Sequence, residues 1–283
     1  MNEINYNSAA ALQAFLDNRG LGMRKKFGQN FLLNPNTRRD LVCALEAGAG
    51  ECVWEIGPGL GAMTALLLEK GLRVRAFEID PGFAGILRET FAGNAGFVLV
   101  EGDVLKTWPD EPAAPYLLGN LPYNIAAALL SVLIEQGRFF KRIVVTVQRE
   151  VARRMAAVPG SADYSSFSVL CATAYRVKPL MVIKGASFYP KPNVDSQAVL
   201  LELKDASRSR PPCFYPLVRQ LFASRRKTIK NNLAVFFTSR GQTAAGAAGA
   251  LEKSGLDGNK RAEELYLEDF EALAKAIEDM GIL

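Results

Sequence analysis

Four short constellations in this 283-residue chain carry residue types that do chemistry. The first is Glu55-Ile56-Gly57-Pro58-Gly59-Leu60-Gly61. Glycines at this density let a backbone turn sharply and approach a ligand closely. With Ala62 the run also fits the relaxed G-x-G-x-x-A fingerprint of a dinucleotide loop. The second is Glu78, a carboxylate able to accept from both hydroxyls of a ribose. The third is Asp103, able to accept from an exocyclic adenine amine or to cap a helix. The fourth is Gly119-Asn120-Leu121-Pro122-Tyr123-Asn124. There Asn120 offers an amide oxygen as acceptor, Pro122 stiffens the turn, and Tyr123 presents a flat face on which a base can stack. Each motif alone also has a plain structural reading, as a turn or a cap. The glycine loop and Glu78 together specify an adenine nucleoside, without deciding between NAD and S-adenosylmethionine. All four together form a methyltransferase pattern.

These residues need elements that bring them to one place. Cys52–Ile56, Arg73–Glu78, Phe97–Val100, Tyr116–Leu118 and Arg142–Val147 read as strands. Helical patterns alternate with them at Ala62–Lys70, from Asp80-Pro81 to about Phe91, and from Ile125 onward. That alternation predicts an α/β fold with a doubly wound, mostly parallel sheet. Each motif then falls at a strand's carboxyl end, where such sheets bind ligands. Two further strands are expected at Arg176–Lys184 and Ser196–Lys204, joined by a loop whose prolines preclude regular structure. Before the first strand, Ser8–Asn18 and Thr37–Ala47 read as amphipathic helices. Between them a basic, aromatic arm, Arg24–Leu33, suits either packing on the domain or single-stranded RNA. Composition shifts near Lys204, and everything beyond reads as helix: Tyr215–Ser224, Thr228–Thr238 and Leu267–Met280, with a helix or loop at Thr243–Ser254. The expected division is 1–204 as a catalytic domain with an N-terminal arm, and 205–283 as a small all-helical domain.

Composition narrows the chemistry. The chain contains no histidine, which removes the commonest general base and the Ser-His and Cys-His nucleophile pairs. Its four cysteines, Cys43, Cys52, Cys171 and Cys213, form no C-x-x-C pair, so no metal site is expected. They read as buried thiols of a reducing compartment. No secretory signal is legible and no segment reads as a membrane span, so a soluble cytoplasmic protein is expected. A net charge of +5 permits a polyanionic partner. Arg225, Arg226, Lys227 and Lys230 crowd the start of an expected helix, and phosphate contacts to RNA are expected of them.

Five motifs in order resemble those of the KsgA/RsmA (Dim-type) small-subunit ribosomal RNA adenine dimethyltransferases. They are Lys26–Leu32, Glu55–Gly59, Gly119–Asn124, Phe188–Ser196, and Phe222–Leu233 with its Arg225-Arg226-Lys227-Thr228 core. The resemblance runs through nearly the whole chain. It implies a Rossmann-like class I methyltransferase domain followed by a helical domain that binds RNA or the ribosome. It implies that Asn30, Leu32, Gly57, Glu78, Asp103 and Asn120 line an S-adenosylmethionine site. It also implies that Asn120 and the Leu121 carbonyl grip the target amine, while Tyr123 and Phe188 sandwich a flipped adenine. The product would be N6,N6-dimethyladenosine at two adjacent adenines near the 3′ end of small-subunit rRNA. The partner would be that rRNA within a pre-30S-like subunit, met by a monomeric enzyme without membrane or metal. Three other readings stay in view: a large-subunit rRNA methyltransferase of the macrolide-resistance type, a non-catalytic assembly factor, and an NAD-dependent oxidoreductase. The segment before Arg24 and the Ala/Gly-rich run Thr243–Ala250 are less typical of the family.

Overall fold

The computed structural model describes residues 4–23, 28–122, 125–204 and 210–281. In chain order its elements are α1 (Ala9–Asn18), β1 (Phe31–Leu32), α2 (Pro35–Ala44), β2 (Cys52–Ile56), α3 (Ala62–Glu69), β3 (Arg73–Glu78), α4 (Pro81–Thr90), β4 (Phe97–Glu101), α5 (Val104–Thr107), β5 (Tyr116–Asn120), α6 (Ala126–Glu135) and β6 (Arg142–Gln148). There follow α7 (Arg149–Ala156), α8 (Ser166–Ala174), β7 (Tyr175–Ile183), β8 (Phe188–Tyr189), β9 (Ser196–Leu203), α9 (Phe214–Phe222), α10 (Ile229–Thr238), α11 (Ala245–Ser254) and α12 (Leu267–Glu278).

The main sheet has the strand order β4-β3-β2-β5-β6-β9-β7. Pairing from β4 through β6 is parallel, and β9 joins β6 antiparallel. The order reverses between β2 and β5, whose registered residues include Ile56 opposite Gly119. At that switch point the glycine loop leaving β2 lies beside Asn120 at the end of β5. A crevice outside the carboxyl ends is the geometric result. Central strands are apolar on both faces, as helix-covered parallel strands must be. Val53, Val74, Leu118 and Val144 pack in one cluster with Leu41 and Val42 of α2 and Met63 and Leu67 of α3. Trp54 is fully buried and meets the rings of Phe77 and Phe140 at centroid distances of 4.9 and 5.3 Å.

The chain divides into two compact units: Met1–Ala152 with Val177–Leu203, and Arg153–Arg176 with Lys204–Leu283. This differs from the single boundary expected after residue 204, because the segment Arg153–Arg176 groups with the C-terminal helices. Tyr164 and Val169 supply apolar surface to the helical core, alongside Phe214, Leu233, Phe236 and Phe270. The Tyr164 hydroxyl also donates to the Leu265 carbonyl at 3.0 Å. Residues near 165 look like any helix of an α/β domain, so local pattern does not reveal which core they join. The Ala/Gly-rich run resolves into α11, and its small residues serve close packing. A methyl group at Gly246 would stand 2.7 Å from the Phe237 ring of α10. Among the described residues, no helix is long and apolar enough to cross a membrane.

Candidate active site

The glycine loop joins β2 to α3 through left-handed backbone, with positive φ at Gly57, Gly59 and Gly61. Gly59 has φ +59°, and a Cβ there would stand 3.0 Å from the Phe31 ring. Its N–H donates to Glu78 Oε2 at 3.0 Å, while the Asp80 N–H donates to Oε1 at 2.9 Å. Glu78, at the tip of β3, is therefore buried yet held from two sides by backbone. Burial pushes its carboxyl up to about 7, against the pull of those backbone donors. Two residues before the first glycine, Glu55 is fully enclosed and accepts from the Thr64 hydroxyl at 2.6 Å. Its pKa is likewise raised to about 7, by burial first and with the Glu78 charge adding to it.

Asp103 caps α5, accepting from the Leu105 N–H at 3.0 Å. Capping and ligand binding are compatible here, since Asp103 also lines the crevice. At the end of β5, the Asn120 Nδ2 donates to the Asn30 carbonyl at 2.7 Å. Asn30 in turn folds its own amide back onto the Gly28 carbonyl at 3.0 Å. Residue 30 is placed by β1, which pairs antiparallel with β8, Leu32 opposite Phe188. The sequence contains no local sign of this pairing.

A cavity of about 310 Å³ collects these residues. Asn30, Leu32, Gly57, Glu78, Asp103 and Asn120 all line it, together with Pro122. Leu121 is buried, with its N–H bonded to the Thr146 carbonyl at 3.1 Å. Phe188 is 3% exposed, packs in the same apolar cluster as Leu32 and Leu41, and is not itself among the cavity-lining residues. Tyr123 lies outside the described residues, as do Asn124 and the stretch Arg24–Phe27. Arg225, Arg226, Lys227 and Lys230 belong to the helical unit and are not among the cavity-lining residues; all four are exposed. The Arg225 guanidinium is engaged, by Glu263 at 2.9 Å and the Ala162 carbonyl at 3.1 Å. Among the described residues no group of three or more His, Cys, Asp or Glu side chains could hold a metal ion.

Among the lining residues that the sequence does not mark are Tyr6, Leu12 and Arg38. Their side chains have no motif around them; Tyr6 and Leu12 reach the cavity by the fold-back of the N-terminal segment, and Arg38 reaches it from α2. Glu55 does carry a signal, an acidic residue inside an apolar strand next to a glycine loop.

Residues 20–279 match the family model of the ribosomal RNA adenine dimethylases. The chain belongs to that family. Ribosomal RNA small subunit methyltransferase A of Treponema denticola is 46% identical over 286 aligned positions, covering 96% of each chain. Among solved structures, a dimethyladenosine transferase from Plasmodium falciparum matches at a TM-score of 0.75 and 26% identity, over 88% of this chain and 97% of that one. The 23S rRNA methyltransferase ErmE, 23% identical with a TM-score of 0.62 over 87% of this chain and 99% of its own, shares the fold. As a family member the chain is a methyltransferase of class I architecture.

Proposed function

We propose that this protein dimethylates the N6 amine of two adjacent adenosines in a stem-loop near the 3′ end of small-subunit rRNA, with S-adenosylmethionine as methyl donor. The observation that carries the reading is the orientation of Asn120. One N–H of its amide donates to the Asn30 carbonyl at 2.7 Å and fixes the amide in place. The amide oxygen is thereby the group left to accept a hydrogen bond. An acceptor fixed at a strand tip beside a nucleoside-sized cavity suits an exocyclic amine.

The lining fits the donor. A volume near 310 Å³ falls in the range of small-molecule sites, roughly 300–1,000 Å³. The Glu78 carboxylate suits ribose hydroxyls, and Asp103 suits an adenine amine. Asn30, Leu32 and Gly57 would complete the wall. When bound, the cofactor supplies an electrophilic sulfonium methyl.

The chain's own residues address the nucleophile. An aryl amine is weak because its lone pair is delocalised into the ring. Asn120 and the Leu121 carbonyl would accept from its two N–H groups and favour the lone pair staying on nitrogen. Pro122 keeps the turn rigid while this happens. Once methylated the nitrogen is acidic and needs no strong base, in keeping with a chain that has no histidine. The base must leave its stack, and aromatic stacking worth about 1–3 kcal/mol offsets that cost. Tyr123 and Phe188 are the proposed partners. For Phe188, which is buried, this requires the two-residue β8 to shift from β1. The proposed setting is the cytoplasm, on a pre-30S-like subunit, with a monomeric enzyme.

The test is incubation of unmethylated small subunits with labelled S-adenosylmethionine, followed by nucleoside analysis and primer extension. Dimethyladenosine at two adjacent positions near the 3′ end is expected. Label only in large-subunit RNA, or none, overturns the proposal.

A further inference from the structure

The segment 4–23 contributes to none of the family motifs, yet it reaches the cavity. Helix α1 sets Leu12 and Leu16, both buried, in one cluster with Leu60 of the glycine loop and Phe83 and Ile86 of α4. The Tyr6 hydroxyl donates to the Leu60 carbonyl at 3.0 Å. Tyr6 and Leu12 are themselves part of the cavity wall.

One side chain secures this arrangement. Arg38 of α2 is 5% exposed. Its Nη1 donates to the carbonyls of Leu32 at 2.6 Å, Leu33 at 3.1 Å and Tyr6 at 3.1 Å. Its Nη2 donates to Asn7 Oδ1. A buried guanidinium is tolerated only where acceptors surround it, and here two sets of acceptors come from separate stretches of chain. Arg38 thus ties the segment 4–23 to β1, whose neighbour Asn30 orients Asn120. The remaining ties are on the outside. Arg19 pairs with Glu89 of α4, their side chains 41% and 47% exposed, and the Gln13 side chain meets the Tyr189 hydroxyl. Water competes for exposed bonds of this kind, so they release more readily than the buried ones.

We propose that residues 4–23 form a clasp that completes the cofactor site. Tyr6 and Leu12 are cofactor-binding residues, Arg38 is the positioning residue that holds them, and clasp opening sets how fast bound ligand leaves. The proposal rests on the S-adenosylmethionine reading. It explains why α1 is keyed at once to the glycine loop, to α4 and to Tyr189 of β8. A segment that merely covered apolar surface would not need a buried guanidinium to fix it.

The experiment uses the full chain and S-adenosylhomocysteine as probe. Calorimetry gives affinity, stopped-flow gives release, and amide hydrogen exchange reads residues 9–18 with and without the probe. The probe is expected to slow exchange in α1. Tyr6→Phe loses one hydrogen bond, and release is expected to quicken about fivefold. Leu12→Ala is expected to weaken binding by about tenfold, because it strips apolar surface from the wall. Arg38→Lys keeps the charge but cannot span the same carbonyls, and should quicken release and exchange in α1 together. Arg19→Ala, remote from the cavity, guards against misfolding of the others; its release should quicken about twofold. Unchanged exchange in α1 on probe binding, with unchanged release in folded Tyr6→Phe and Arg19→Ala, overturns the clasp. Failure of the wild-type chain to bind the probe at all overturns the cofactor reading, and the clasp with it.

Discussion

At the carboxyl ends of β2 and β3, charge is enclosed: Glu78 lines the cavity, Glu55 is buried in the strand behind it, and Glu78 is gripped by the backbone of Gly59 and Asp80. At the start of α10 the arrangement is inverted. There the backbone is fixed, with Thr228 capping the helix and the Ile229 N–H bonded to the Lys260 carbonyl at 2.7 Å. The heads of Arg226, Lys227 and Lys230 meanwhile stand in solvent. The contrast separates two ways of meeting a ligand. A small nucleoside is recognised by groups already desolvated and oriented before it arrives. A polyanionic backbone is met by exposed cations that give up counterions on contact and demand little fixed geometry. Arg225 sits between the two cases, exposed but already paired with Glu263.

The largest effect that would sharpen this contrast concerns Asn120. In Asn120→Ala, turnover on small subunits should fall about a thousandfold, for loss of one preorganised acceptor. S-adenosylhomocysteine affinity, read by calorimetry, should move far less. Equal losses in both would make Asn120 a cofactor residue alone.

Next is the pH dependence of stability. The Glu55 carboxyl has an ordinary value of 4.5 and stands at about 7 when folded. The folded state therefore holds its proton longer, and stability is full below 4.5 and lost as pH rises toward 7. The loss is on the order of 3 kcal/mol. Urea titrations of Glu55→Gln between pH 5 and pH 8 should show a flatter profile than the parent chain.

Glu78 yields a smaller effect on binding. Its raised carboxyl, at about 7, must ionise fully to accept from two ribose hydroxyls. Affinity for S-adenosylhomocysteine should thus drop about tenfold between pH 8 and pH 6. Glu78→Gln should bind more weakly with no such slope, and a persisting slope would assign the proton elsewhere.

The basic turn gives the smallest change at any one salt concentration. Replacing Arg226, Lys227 and Lys230 by Gln should flatten the dependence of log affinity for RNA on log salt, by about 0.7 for each phosphate no longer neutralised. Arg225→Gln should change it least, because Glu263 already occupies that guanidinium. A large response at Arg225 alone would blur the distinction between the two regions.

Much of the catalytic frame is legible in the sequence. Strands β2 and β3 form over the residues their apolar runs mark, because buried parallel strands leave a strong local signal. The glycine loop, Glu78, Asp103 and Asn120 converge because each ends a strand, and topology then brings strand ends together. What depends on distant partners is not legible. β1 and β8 are two residues each and lie more than 150 positions apart, too short for any periodicity to mark. Helix α1 is readable as a helix, but its seat on Leu60 and Phe83 is not. The motif around Phe188 is visible in sequence while the burial of its ring is not, since a phenylalanine beside prolines suits a core and a stacking face alike.

The bond that aims Asn120 ends on a backbone carbonyl, that of residue 30. Every amino acid has such a carbonyl, so the contact is insulated from genetic change at its acceptor. Substitutions at position 30 alter the wall of the cavity and leave the aiming contact chemically intact. Only backbone synthesis reaches it: an ester in place of the amide between Asn30 and Phe31 weakens that oxygen as an acceptor while preserving every side chain. The orientation of the Asn120 amide is thus inherited through the path of the chain and not through the identity of the residue that enforces it.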